Sequence, residues 1–273
     1  DGDPTAYGID TVHVWSYGAL LDQLPRRPWL VLHHPAEVEG SLLHQLLWQY
    51  RSLPREARRT KCDIVLNPDA GTVSPFQPAV TMSRDMLSFE PVEMRRFAFS
   101  FHWIRLLVLK AIQARSLQRA KGAVFLTRYA ARVIQQTTGP LTTVRIIPHG
   151  MSDNFRGMAP PPPWPKPNTR PIRCLYLSNV FPYKHQWMVV EAIGDLRRQG
   201  HNVSLLLVGD GTGHDGRLAA EIARVDPERK FIETREGVAH RDVPALLPQA
   251  DIFIFASSCE NMPVTLIEAM AAG

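Results

Sequence analysis

The chain is 273 residues long, 45% hydrophobic and 21% charged, with a formal net charge of +5. That length and balance describe a globular protein with a substantial core and favour two domains over one. No apolar run reaches the ~18 residues of a spanning helix and no secretory pattern opens the chain, so a cytoplasmic location is expected. The charge is concentrated: seven basic residues stand against one acid between Val92 and Lys121, leaving the remainder at −1. A general basic coat for nucleic acid is thereby excluded. Cys62, Cys174 and Cys259 are odd in number, far apart and without metal-type spacing, which fits buried, reduced thiols.

Taken in order, Trp29–Pro35 (WLVLHHP) reads as a buried strand ending in polar residues. Cys62–Asp69 and Pro78–Asp85 read likewise, and Val92 to Arg119 as one long helix. GAVFLT is a strand, Arg128–Gln136 a helix and VRIIPHG a strand. Ala159–Pro171, APPPPWPKPNTRP, holds seven prolines. Such a run forms neither a helix nor a central strand and is expected to be an extended linker between a domain at 1–158 and another at 172–273. Beyond it, IRCLYLSN is a strand, WMVVEAIGDLRRQG a helix, NVSLLLVGDG a strand and Arg217–Arg224 a helix. KFIET is a strand, VPALLPQA a short helix, and DIFIF a strand before a final helix. Strands alternating with helices imply βαβ units and parallel sheets, whose ligands lie beyond the carboxyl ends of the strands.

The last 23 residues, DIFIFASSCENMPVTLIEAMAAG, are the most informative. Asn261 and Pro263 suit a helix start. Glu260 would stand just ahead of it and Glu268 one to two turns in. Leu266, Ile267 and Met270 are expected to form the core-facing stripe, leaving Glu268 off it. Carboxylates beside an anion-attracting helix end suit a ligand that is part phosphate and part polyol, the acids holding hydroxyls. The stretch resembles the E-x7-E signature of retaining glycosyltransferases with two Rossmann-like domains, grouped in glycosyltransferase family 4.

The resemblance implies an α/β fold of two Rossmann-like domains, their parallel sheets facing across a cleft (GT-B type). It implies transfer of a sugar from a nucleotide-diphosphate donor without an essential metal or other cofactor. Relative to that pattern the chain looks incomplete at both ends. The family's G-R-x-x-x-x-K loop corresponds to LSNVFPYKHQ (Leu177–Gln186), so Lys184 would hold the diphosphate, with Asn179 in place of the arginine. Gly209, Gly211 and Gly213 would line the nucleotide pocket, or form a tight turn with no ligand. The base would meet Glu233–Val238. Glu260 would bond the transferred sugar and Glu268 the ribose, with the amides of Asn261, Met262 and Val264 facing sugar or phosphate.

On the acceptor side, VTMSRDMLSFEP (Val80–Pro91) matches a segment where relatives carry a His-Asp pair. Here it is Arg84-Asp85; Asp85 would position acceptor or sugar, whereas Arg84 cannot act as a base because its pKa exceeds ~12. His33 and His34 end a strand and admit two readings, facing the cleft or serving structure. The acceptor class is a glycan or a lipid-linked glycan. For the basic segment, Phe97, Phe101, Ile104, Leu107, Val108 and Ala111 mark an apolar face. That face reads as the core side of a helix, with contact to the anionic inner face of a membrane as the other reading. Two further functions fit the same residues: a sugar-nucleotide epimerase or phosphorylase, and a non-catalytic nucleotide-binding protein.

Overall fold

A computed structural model describes residues 2–155, 163–166, 169–211 and 216–273. Residues 159–162 and 167–168 of the proline-rich stretch, and Gly213, lie outside the described residues. The chain separates into two compact units, one of residues 1–84 and 107–146, the other of residues 85–106 and 147–273.

The first unit contains β1 (Val12–Trp15), α1 (Gly18–Leu21), β2 (Leu30–His33), α2 (Leu42–Leu47), α3 (Leu53–Arg59), β3 (Val65–Asn67) and β4 (Ala79–Ser83). After the crossing segment come β5 (Gly122–Phe125), α6 (Arg128–Thr138) and β6 (Val144–Ile146). Strands β1 and β2 form a two-stranded parallel sheet, and β3-β4-β5-β6 a second, all parallel. Helix α6 starts cleanly because Thr127 caps it, its Oγ1 accepting from the Ala130 N–H at 3.0 Å. Its apolar face supplies Ala130, Ala131 and Ile134 to the core.

Several expectations need correction. Strand β2 is shorter than Trp29–Pro35, and Val31 and Leu32 are exposed rather than buried. Strand β1 and the helical run α2–α3 were not legible, because VHVW is too short and mixed to show a period. The expected helix over Val92–Arg119 is two helices, α4 (Pro91–Arg95) and α5 (Phe101–Arg119). Between them Phe99 adopts a left-handed φ of 63°, which no helix accommodates. Ser100 restarts the helix, its Oγ accepting from the Trp103 N–H. The apolar stripe Phe101, Ile104, Leu107, Val108 and Ala111 is exposed; the buried face of α5 carries Leu106, Gln113 and Leu117.

The second unit holds β7 (Ile172–Leu177), α7 (Gln186–Arg198), β8 (Val203–Val208), α8 (Arg217–Val225), β9 (Ile232–Arg235), α9 (Val243–Leu246), β10 (Ile252–Phe253) and α10 (Val264–Ala272). Its sheet is parallel throughout, in the order β10-β7-β8-β9. Strand periodicity divides its side chains between two cores. Cys174, Tyr176, Val203, Leu205 and Leu207 pack on one face with Val189, Val190, Ile193 and Ile222 of α7 and α8. Leu175, Leu177 and Val208 pack on the other with Phe155, Val243 and Leu246. A parallel sheet covered on both faces explains why these strands read as unbroken apolar runs. Gly194 lets α7 approach α8, since a Cβ there would stand 2.5 Å from Val225 Cγ1.

In α10 two positions reverse the expectation, while Leu266 and Ile267 are half-buried. Glu268 is 2% exposed and Met270 75% exposed. Ala269, Ala271 and Ala272 pack against the core beside Phe155, and Glu268 has a hydrogen-bonding partner that makes its burial affordable.

Candidate functional site

In a parallel sheet every carboxyl end reaches the same edge. In the second unit that edge carries Ser178–Asn179 after β7, Gly209–Gly211 after β8, Glu236–Gly237 after β9 and the 254–263 loop after β10.

The first three loops are laced together. Asn179 Oδ1 accepts from the Asp210 N–H at 3.2 Å, and Asp210 Oδ1 accepts from the Gly237 N–H at 3.0 Å. Glu236 Oε1 accepts from the Gly211 N–H at 3.0 Å. Gly209 has φ 143°, and a Cβ there would fall 2.2 Å from the Ser178 carbonyl oxygen. Only glycine fits, because two strand ends meet at that point.

Strand order brings the remaining residues together. Since β10 pairs with β7, the loops following these two strands are neighbours. The Lys184 ammonium bonds Glu260 Oε1 although the residues stand 76 apart in sequence. Both side chains are largely buried, and Nζ lies 5.3 Å from the centre of the Tyr183 ring. The Tyr176 hydroxyl donates to the Lys184 carbonyl and so fixes the turn that presents the lysine. The Ser258 N–H donates to the Tyr183 carbonyl at 2.9 Å, tying the two loops through backbone as well.

His185 follows in a left-handed conformation at the start of α7 and is buried. Its Nε2 lies 2.8 Å from Ser258 Oγ, while Nδ1 is buried with no partner among the described residues. Ser258 Oγ also donates to the Tyr183 carbonyl at 3.3 Å, which assigns the proton of the neutral ring to Nε2. Burial, and then the nearby Arg96, hold the His185 pKa below its ordinary value.

Acids surround this region. Burial pushes the Tyr183 hydroxyl up to about 12, with Glu260 and Asp85 adding to the effect. Burial likewise pushes the Cys259 thiol up to about 12, reinforced by Glu90, Asp85, Glu93 and Glu260. Cys259 is therefore a neutral thiol and no nucleophile. The Cys174 thiol is pushed up to about 11, again mainly by burial, and all three cysteines are free. Asp85 thus belongs to the electrostatic surroundings of Tyr183, and its Oδ1 accepts from the Leu87 N–H at 3.0 Å.

Glu268 reaches the same loop region from α10. Its Oε1 lies 2.7 Å from His240 Nε2, and its Oε2 is buried with no partner among the described residues. A buried carboxylate oxygen without a donor costs ~1–3 kcal/mol, so the arrangement favours an incoming hydroxyl. His240 leans toward Phe155, ring centroids 5.6 Å apart. Of the neighbouring candidates, Asn261 is buried, Val264 is the first residue of α10, and Met262 Sδ accepts from the His149 N–H at 3.2 Å.

His33, His34 and Arg84 belong to the first unit. His33 Nε2 lies 2.9 Å from His13 Nδ1, and its ring stacks on Trp15 at 4.7 Å. His34 is exposed and bonds Glu39 at 2.9 Å, and Arg84 is exposed. The sequence reading missed His240, His185 and Ser258. Nothing in their spacing marks them, since each acts through a partner 28 or more residues away.

Residues 171–273 match the model of a family described as glycosyl transferases group 1. No curated protein matches the chain. Among solved structures, Anabaena Alr3699/HepE in complex with UDP-glucose is similar, with a TM-score of 0.68 at 18% identity over 98% of this chain and 72% of that one. Sucrose-phosphate synthase from Thermosynechococcus elongatus gives 0.68 at 14% identity, covering 92% of this chain and 65% of that one. A glycosyltransferase from Rickettsia africae gives 0.64 at 16% identity, covering 96% and 69%. The likeness shows the fold: α/β with all-parallel sheets, as in GT-B glycosyltransferases. With the family match over residues 171–273, it supports a glycosyltransferase.

Proposed function

We propose that the protein transfers a sugar, with retention, from a nucleotide-diphosphate sugar held in the second unit to a glycan or lipid-linked acceptor. The observation that carries this reading is the convergence of Lys184, Glu260 and Glu268 on one edge of a parallel sheet. Lys184 meets the diphosphate and Glu260 the hydroxyls of the transferred sugar. Glu268 offers its unpartnered Oε2 to the ribose, with His240 fixing the other oxygen. The amino end of α10 adds positive potential, so the diphosphate needs no metal in this reading. In the transfer step the sugar C1–O bond to the diphosphate breaks, and a bond from C1 to the acceptor oxygen forms on the same face. The acceptor's proton passes to the departing diphosphate oxygen.

UDP-glucose, which the Anabaena protein holds, is the first donor to try. Calorimetric titration should show UDP binding, weakened about tenfold by Glu268→Gln, since a charge-assisted hydrogen bond becomes a neutral one. With 2′,3′-dideoxy-UDP the same substitution should cost nothing. Failure of UDP, GDP and ADP sugars alike to bind would remove the proposal.

The segment 91–105 supports a lipid-linked acceptor at an anionic membrane. Val92, Phe99, Phe101 and Ile104 are all more than half exposed, beside the exposed Arg95, Arg96 and Arg105. A fully solvated phenylalanine at φ 63° is strained as well as exposed, which points to a role outside the fold. Sedimentation with phosphatidylglycerol vesicles should carry the protein down, and phosphatidylcholine should not. Phe99→Ser with Phe101→Ser should lower binding at least tenfold; equal binding to both vesicles, or none, refutes the contact.

A further inference from the structure

The first unit contains a cavity of about 350 Å³ walled by β3, β4, the 72–77 loop and the second half of α5. None of its twelve lining residues is acidic, and nine carry a side-chain hydrogen-bonding group. Arg115 and Arg119 stand one turn apart on α5, and neither pairs with a carboxylate among the described residues. Two donors on the opposite wall are held in place. Asn67 Nδ2 donates to Thr81 Oγ1 at 3.1 Å, and Thr81 is 1% exposed, so the Thr81 hydroxyl keeps its own hydrogen for another partner. Gln77 Oε1 accepts from the Ala79 N–H at 3.2 Å, which leaves its amide group to donate.

Two guanidinium groups without a counter-charge suit a dianion, which Arg grips through paired N–H donors. Fixed hydroxyl and amide donors suit the hydroxyls attached to it. The volume stands at the small end of ligand pockets and exceeds what an inorganic anion fills. We propose that this cavity binds a small phosphate ester of a polyol, such as a sugar phosphate. The inference does not depend on the donor reading, since every lining residue belongs to the first unit. A simpler role exists for the arginines alone, because cations in the last turns of a helix offset its dipole. That role does not explain the buried Asn67–Thr81 pair at the facing wall or the exclusion of acids.

The full chain should be titrated calorimetrically with glucose 6-phosphate, inorganic phosphate and glucose, with UDP as a separate arm. Glucose 6-phosphate should bind, phosphate at least tenfold more weakly, and glucose undetectably. Gln77→Glu preserves the acceptor for the Ala79 N–H and places a negative charge in the cavity. It should weaken glucose 6-phosphate at least tenfold and leave UDP affinity unchanged. Arg115→Gln with Arg119→Gln should do the same. No binding of glucose 6-phosphate while UDP still binds, or an unaltered affinity in Gln77→Glu, overturns the assignment. Glucose 6-phosphate binding without UDP binding upholds the cavity and overturns the donor reading instead.

Discussion

Lys184→Ala should lower kcat/KM for a UDP-sugar by about 10²- to 10³-fold, the range seen when one preorganised charge stabiliser is removed. The surroundings make the loss large. The lysine ammonium lies against Glu260, in a region where Asp85, Glu90 and Glu93 already add negative potential at Tyr183 and Cys259. Without it, an incoming diphosphate meets carboxylates with no neighbouring lysine to offset them. The side chain is largely buried, so solvent would screen that repulsion only in part. Lys184→Arg should recover roughly tenfold by restoring charge, yet not the full rate, because a planar guanidinium fills the site differently. Glu260→Ala should behave otherwise: UDP affinity holds or rises as the ammonium is released, while turnover falls because the sugar is no longer held. Steady-state kinetics together with UDP titration separates the two patterns. A Lys184→Ala enzyme within twofold of the parent rate removes the diphosphate role.

The contrast between what the sequence disclosed and what it concealed follows from the range of the forces involved. Strands such as IRCLYL and VSLLLV were legible because a parallel sheet buried on both faces requires continuous apolar runs. Lys184 and Glu260 were recognisable by motif, but their contact was not. It depends on β10 lying beside β7, a strand order that no local pattern encodes. Glu268 was misplaced because helical periodicity assigns charged residues to solvent, whereas His240 and the small residues of α10 permit burial. The break at Phe99 was invisible for a related reason. The run Phe97-Ala98-Phe99-Ser100 contains neither glycine nor proline, and beyond it Phe101, Ile104, Leu107, Val108 and Ala111 imitated a core stripe while facing outward.

Asp251→Ala should destabilise the fold by about 2–3 kcal/mol in urea unfolding at neutral pH. Asp251 is almost wholly buried just ahead of β10, where its Oδ1 accepts from Arg170 Nη2 at 2.7 Å and its Oδ2 from the Arg173 N–H at 2.8 Å. The Arg173 guanidinium adds a longer contact at 3.4 Å. Removing the carboxylate leaves a backbone donor unpaired at the start of β7 and two arginines without their partner. Both arginines retain partial solvent access, which keeps the loss below that of a fully enclosed ion pair. The Arg170 hydrogen bonds, opposed by burial and assisted by Arg173, hold the Asp251 carboxyl well below the usual carboxylate range. A depressed folded pKa gives stability that is complete above the unfolded value near ~3.9 and is lost as pH falls through the folded one. The difference in stability between the parent and Asp251→Asn should therefore be constant from pH 7 to about 5 and narrow below about 4. A difference that widens in acid contradicts the assignment. Asp251 also holds the amino ends of β7 and β10 in register, and the opposite ends of those strands lead to Lys184 and Glu260. Its loss should thus lower UDP affinity as well as stability.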